Sequence, residues 1–260
     1  MIDALSLELD GWQAIGLRAS FWWRDDDACS DTPALRHLLG LAHDCALPLA
    51  LAAIPARADA TLAGAVEACA QACVVQHGYA HRNHAREGER SAELASGRDL
   101  ASMERELDAG RARLRLLFGA RFVPILVPPW NRMTSGLAPH LAALGFAGVS
   151  RFGPREAAYA APGLPQVNTH VDPIAWRRER QFIGVAAMAA RVVDHLAARR
   201  AGACDADEPT GLLTHHLAFG EDAWRGLRTL LEVIARHPAA QWLAVEAAFA
   251  LPPAISARSA

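Results

Sequence analysis

The sequence predicts an α/β fold, a parallel sheet or barrel, and three observations predict it. Short apolar runs alternate with stretches of helical periodicity along nearly the whole chain, the pattern that repeated strand–helix units impose. The short runs are apolar on both faces, as strands buried between two layers are. Five polar clusters, Asp25-Asp26-Asp27, His77, Pro128-Pro129-Trp130, Asp172 and His215-His216, each fall at the C-terminal end of an expected strand. In parallel α/β folds the loops that leave the strands converge at that end, so one face of one sheet collects all five.

The elements follow in order. A first strand is expected over 17–23, ending in Arg24 and the three aspartates; Trp22 and Trp23 alternate between its faces. A helix follows, with Thr32 as N-cap, Pro33 in the first turn and Leu35, Leu38, Leu39 and Ala42 at helical spacing. Strand 48–54, helix 61–72 and strand 73–76 come next, and His77 closes the last of these. Residues 99–118 read as a long amphipathic helix laced with arginine and glutamate and stopped by Gly119. Residues 122–127 are a buried strand, 135–144 a helix backed by Gly145, 147–149 a short strand and 166–169 another. Helix 183–200, strand 211–214 and helix 224–236 complete the pattern. No stretch reads as a linker, so 1–260 is expected to be a single domain; 86–98 is a solvated loop.

Composition removes several functions. The chain has 260 residues, is 52% hydrophobic and carries a formal net charge of -2, so it can bury a full core and has no electrostatic footprint for nucleic acid. No apolar run is long enough to insert into a membrane, and the first eleven residues carry acids where a signal peptide has basic and then apolar residues. Cys29, Cys45, Cys69, Cys73 and Cys204 are odd in number and form no CxxC pair, which points to free thiols in the cytoplasm. Every base is an arginine. Without lysine there is no P-loop and no Schiff-base chemistry. GxGxxG, GxSxG and HExxH are absent as well.

What remains points to a metal. His77 and His81 are four residues apart, and on a helical turn that spacing brings both imidazoles to one side, where one ion can meet them. Two imidazoles, one carboxylate and an open position for water make a common hydrolytic zinc arrangement. The aspartate run supplies the carboxylate, and three adjacent carboxylates repel one another unless a cation neutralises them. The competing readings are two loop histidines satisfied by backbone carbonyls, and an acidic run at the start of the helix after Thr32.

With these motifs in order, the chain resembles the polysaccharide deacetylases, the family with the NodB-like domain, over about its whole length. Arg24-Asp25-Asp26-Asp27-Ala28 is similar to the family's first motif in its divergent Arg-x-Asp-Asp-x form. That register makes Asp26 the general base and Asp27 a metal ligand; a shift of one residue gives the roles to Asp25 and Asp26. His77 and His81 match the His-x-x-x-His ligands. Val127-Pro128-Pro129-Trp130-Asn131-Arg132 looks like Arg-Pro-Pro-Tyr without its arginine, so Arg132 or Arg24 supplies the charge that steadies the base. Asp172-Pro173-Ile174-Ala175-Trp176 resembles Asp-x-x-Asp-Trp with alanine at the second aspartate. Leu213-Thr214-His215-His216 resembles Leu-x-His-Asp, which puts His215 in the general-acid position.

The resemblance implies a distorted (β/α) barrel of about seven parallel strands and a hydrolase acting on carbon–nitrogen bonds other than peptide bonds. It would remove an acyl group, acetyl in the first instance, from an N-acylated carbohydrate, as a small molecule or an oligosaccharide. A divalent metal, expected to be zinc, is held by Asp27, His77 and His81; Asp26 is the base, steadied by Arg132 or Arg24, and His215 is the acid, oriented by Asp172. Trp130, Trp176, Pro129, His216 and His170 are expected to line the substrate pocket, with core packing the alternative for the two tryptophans. Two other functions fit the same residues: hydrolysis of a small non-sugar amide or ureide, and carbohydrate binding without turnover.

Overall fold

In the computed structural model, which describes residues 2–176 and 179–251, the chain opens with helix α1 (Ile2–Ala14) and then enters a ten-residue strand, β1 (Ala19–Ala28). Helix α2 (Pro33–Asp44), β2 (Leu49–Ala53), α3 (Ala60–Glu67) and β3 (Ala72–His77) follow, then α4 (Leu100–Phe118), β4 (Phe122–Val127), α5 (Ala138–Leu141) and β5 (Gly148–Val149). Two small antiparallel hairpins come next: β6 (Tyr159–Ala161) with β7 (Leu164–Pro165), and β8 (Ile174–Ala175) with β9 (Gln181–Phe182). The chain continues through α6 (Val185–Arg200), β10 (Thr210–Thr214), α7 (Glu221–Arg236), β11 (Ala240–Trp242) and α8 (Val245–Ala248).

The sheet is parallel throughout, in the order β10-β1-β2-β3-β4-β5, with β11 beside the first residues of β1. Its two edges are joined by residues 166–171. On one side Val167 N–H donates to Val149 O and Thr169 N–H to Arg151 O. On the other, Val171 N–H donates to Gly211 O and Leu213 N–H to Val171 O. The strand expected at 166–169 is thus a run of isolated bridges, and the barrel closes through it irregularly. This is the distorted (β/α) barrel that the family resemblance implies.

Side-chain alternation sorts the strands into an inner and an outer face. Trp22, Ala50, Ala52, Val75, Ile125, Val127 and Val167 fill the barrel interior. Phe21, Trp23, Leu49, Leu51 and Val74 point outward into a second core shared with the helices. The interior is tight at Gly211, where an added Cβ would lie 2.5 Å from Asn168 O and 2.5 Å from Trp22 Nε1. That indole N–H donates to Asn168 O, so a side chain at 211 would break into its bond.

Several elements differ from expectation for identifiable reasons. β1 continues through the aspartates instead of ending at Trp23, because β2 and β10 pair with it as far as that. Helix α1 was not anticipated; its Leu5, Leu9 and Trp12 recur at helical spacing and are buried. The helix expected at 135–144 is a 3-10 turn, Ser135–Leu137, leading into the single turn α5. Helix α3 stops at Glu67, short of the expected 72. Among the described residues no helix is long and apolar enough to cross a membrane.

Candidate active site and metal centre

The end of β1 distributes three consecutive carboxylates to three partners. Arg24 and Asp26 are two residues apart and follow Trp22 on the barrel-interior face; Asp25 faces the other way. Asp25 is buried, and its Oδ2 accepts the Thr214 hydroxyl at 2.7 Å and the His216 N–H at 3.0 Å. Its Oδ1 meets His216 Nδ1. Burial disfavours a charged His216 ring, yet the Asp25 carboxylate outweighs this and raises its pKa. Asp26 accepts Arg24 Nε–H at 2.8 Å and Nη2–H at 3.0 Å. In a regular strand Asp27 would share the side of Asp25. Its φ of 76° and the register shift between Asp26 and Ala28 bring Oδ1 instead to 3.3 Å from His77 Nε2 and 3.3 Å from His81 Nε2.

Asp27, His77 and His81 fit a divalent cation. Their ligand atoms all lie within 4.8 Å of one another. Asp27 Oδ1 is buried with no hydrogen-bond partner, a costly state for a carboxylate oxygen that faces no cation. His77 Nδ1 lies 3.0 Å from Val127 O. A carbonyl only accepts, so Nδ1 carries the proton and Nε2 presents its lone pair to the centre. Burial works against the charge on Asp27, but His77, His81 and His215 around it drive its pKa well below the usual carboxylate range. Burial and the neighbouring His77 lower the pKa of His81, which keeps it neutral as a ligand must be. For His77, burial is outweighed by Asp26 and Asp27, and its pKa is raised.

A second group, His170, His195 and Glu208, also has ligand atoms within 4.8 Å of one another, but its protons are arranged differently. His170 Nδ1 accepts the Gly211 N–H at 2.9 Å, so Nε2 holds the proton and faces Glu208 Oε2 at 3.2 Å. Glu208 also accepts the Asn168 and Arg155 N–H groups. The cluster is a buried prop beneath the barrel wall, with His170 stacked on His195 at 3.6 Å. His170, expected in the substrate pocket, belongs to this prop because its ring turns toward the start of β10.

Beside Asp27, His77 and His81 stand the residues expected to serve proton transfer, Asp26, His215 and Asp172. His215 Nε2 is 4.0 Å from Asp26 Oδ2, and its Nδ1 is 4.0 Å from Asp172 Oδ2. Asp172 does not hydrogen-bond the ring; its Oδ2 accepts the Trp176 indole N–H at 2.7 Å and its Oδ1 the Ile174 N–H. Burial raises the pKa of Asp172 against the pull of His215 and of those two bonds. The Trp176 and His215 rings meet in a T-shaped contact with centroids 4.6 Å apart, and Trp176 is 43% exposed. Trp130 packs on His81 at 4.2 Å.

Three expectations are corrected. The guanidinium on Asp26 is that of Arg24, which also donates to Asn131 Oδ1 at 2.7 Å and Ser150 Oγ at 2.6 Å. Arg132 donates to Ser91 O at 2.9 Å, on the loop after β3. His216 is buried by its Asp25 pair and faces no open pocket. Pro129 is also buried, with its ring 2.6 Å from where a Cβ on Gly78 would stand. Sequence reasoning passed over Asn131, Ser150 and Glu93; the first two reveal themselves only by bonding Arg24 across the barrel mouth. Four non-glycine residues with left-handed backbone, Asp27, His81, Trp130 and Asn131, gather here, as strained residues do at sites that need fixed geometry.

No protein-family model matches the chain, and no curated protein matches it significantly. Solved structures do. A Mycobacterium smegmatis protein assigned as a polysaccharide deacetylase is 15% identical over 87% of each chain, with a TM-score of 0.64. A family 4 carbohydrate esterase from Streptomyces lividans is 15% identical, covering 86% of this chain and 91% of its own, at 0.55. A family 4 acetyl xylan esterase from Clostridium thermocellum, solved with a cobalt ion, is 10% identical over 90% and 93%, at 0.57. The class is therefore that of the NodB-like α/β barrels. In fold this chain is a divergent counterpart of the polysaccharide deacetylases and family 4 carbohydrate esterases.

Proposed function

We propose that this protein is a metal-dependent hydrolase that removes an acyl group, acetyl in the first instance, from the nitrogen of a carbohydrate. The observation that carries this reading is the convergence of Asp26, Asp27, His77, His81 and His215 at the C-terminal mouth of one barrel. The fold relatives, one of them holding a cobalt ion, support it. Asp27, His77 and His81 would hold the cation, and zinc suits two imidazoles and one carboxylate. Bound there, it would supply Lewis acidity toward a water and an acyl carbonyl oxygen.

The chain's own residues then divide the proton work. Asp26 takes a proton from the attacking water, its carboxylate pinned to the barrel wall by two bonds from Arg24. His215, across a 4.0 Å gap, hands a proton to the departing amine from Nε2. Asp172 faces the other nitrogen of that ring, and Trp176 supports its flank. Trp176 and the half-buried Trp130 flank the mouth on two sides and offer ring faces to a sugar. The five cysteines are free, which supports a reducing cytoplasmic setting and a soluble oligosaccharide or sugar-nucleotide substrate.

The test is His77→Ala, purified without chelator beside the unmodified chain. Elemental analysis should show the metal lost, and acetate release from N-acetylated oligosaccharides should stop. Retention of either overturns the reading. Release of formate or ammonia from small amides, with no acetate from sugars, would assign the same centre to a non-sugar amide.

A further inference from the structure

Two imidazoles four residues apart converge without effort on a helix, but residues 78–82 are not helical. The chain turns sharply instead, with Gly78 at φ 55° and His81 at φ 56°. Helical hydrogen bonds therefore do not hold the two ligands in register. What the turn wraps around is the carboxylate of Glu93, which is almost fully buried. Glu93 Oε2 accepts the Tyr79 N–H at 2.9 Å, and Oε1 accepts the Ala80 N–H at 2.8 Å and the Arg82 N–H at 3.4 Å. Three amides of this turn are paired with one side chain. The fit is close: a Cβ on Gly78 would lie 1.9 Å from Glu93 Oε2.

Glu93 is itself held from several directions. Asn83 Oδ1 accepts the Ala92 N–H, His84 N–H donates to Ala92 O, and Thr134 N–H donates to Leu94 O. Arg132 binds Ser91 O, two residues upstream of Glu93. His77, by contrast, belongs to β3 and is oriented by Val127 O.

We propose that Glu93 is the positioning residue for His81, setting the second imidazole of the metal centre through the backbone of 79–82 while leaving His77 untouched. The proposal rests on the metal-centre reading above. Residues that orient ligands in this way change metal affinity by about 10–100-fold when altered. Because Glu93 acts through His81, its contribution disappears once His81 is gone.

The experiment measures zinc affinity of the full chain by competition with a chromophoric chelator, for the unmodified protein, Glu93→Gln, His81→Ala and the double variant. Glu93→Gln should weaken binding by about 10–100-fold, and in the His81→Ala background it should change binding by less than about threefold, as coupled residues do. A merely structural glutamate would weaken both backgrounds alike, and that result overturns the proposal, as does unaltered affinity in Glu93→Gln. If the unmodified chain binds no zinc, the metal centre itself falls and the proposal with it. Should Glu93→Gln fail to fold, Glu93→Asp, which keeps the charge and retracts the oxygens by one methylene, carries the same comparison.

Discussion

Replacing Arg24 by methionine isolates the interaction on which Asp26, the proposed general base, depends. Arg24 is fully buried, and its guanidinium reaches both oxygens of Asp26, Asn131 Oδ1 and Ser150 Oγ. Methionine keeps much of the apolar stem but leaves the Asp26 carboxylate, 1% exposed, without its cation. Breaking a buried pair from one side costs about 3–5 kcal/mol, because the surviving charge has lost both water and partner. At roughly 2–4 °C per kcal/mol for a chain of this size, a loss of about 4 kcal/mol lowers Tm by about 8–16 °C. The assay is thermal and urea unfolding at neutral pH of Arg24→Met, Asp26→Asn and the double variant. Since the penalty belongs to the orphaned charge, adding Asp26→Asn to Arg24→Met should recover at least about 2 kcal/mol. Deacetylation by Arg24→Met should fall by about 10²–10⁴-fold, the range attributed to a positioned base. The reasoning fails if Arg24→Met costs less than about 1 kcal/mol, or if the second change adds to the loss instead of relieving it.

Two further outcomes follow from buried groups. Burial, with His170 and Arg199 nearby, holds the His195 pKa down from 6.5 to about 3. The native ring therefore stays neutral while the unfolded chain takes up a proton near 6.5, so this contribution is intact above that pH and is lost as pH falls from about 6.5 toward 3. At pH 5 the loss is about 2 kcal/mol at 1.36 kcal/mol per pKa unit; urea unfolding at pH 5 and pH 7 should show it, and His195→Gln should flatten the slope, whereas an unchanged slope would refute the assignment. Gly78→Ala forces a side chain into a left-handed backbone position, at about 1–2 kcal/mol, and sets its Cβ 1.9 Å from Glu93 Oε2 and 2.6 Å from Pro129. Both Tm and zinc affinity should drop, and wild-type values for both would show that the turn has slack.

How much of this was legible in the sequence depended on whether the determining contact was local. The long amphipathic α4 and α7 and the two-sided strands β2 and β4 carry their periodicity within themselves and were read correctly in kind. The HxxxH spacing was legible as two imidazoles that meet at one point, but the helical turn behind it was not the device the protein uses; the amides are paired by Glu93, a residue twelve positions beyond His81 with no local signal. The apolar run of the first strand stops at Trp23, so the sequence puts the aspartates just beyond its end. In the fold, pairing with β10 and the bonds from Thr214, His216 and Arg24 satisfy Asp25 and Asp26 inside it. That misplacement also left open the choice between Arg24 and Arg132. Once β1 is known to run through Asp26, residues 24 and 26 must share a face, and the arginine beside Asp26 follows from the pleat alone.

Moving the arginine onto β1 changes what the loop after β4 has to do. In the pattern the chain resembles, that loop brings the arginine itself; here it brings an acceptor. Asn131, at φ 58°, tolerates a left-handed backbone better than most residues, and its Oδ1 takes one Nη2 proton of Arg24 while Asp26 takes another. The residue before it, Trp130 at φ 55°, lays its ring on His81, Pro129 packs on the Gly78 turn, and Arg132 ties down the strap that carries Glu93. The four residues 129–132 thus grip Asp26 through Arg24 and His81 through its backbone turn. Two consecutive left-handed residues cost of order 1–3 kcal/mol each, and they persist because the contacts on either side over-determine them. The departure from the expected motif is therefore a redistribution of the same tasks: the charge lies in the strand, and the loop fixes the distance between the groups proposed to move protons and the groups that would hold the ion.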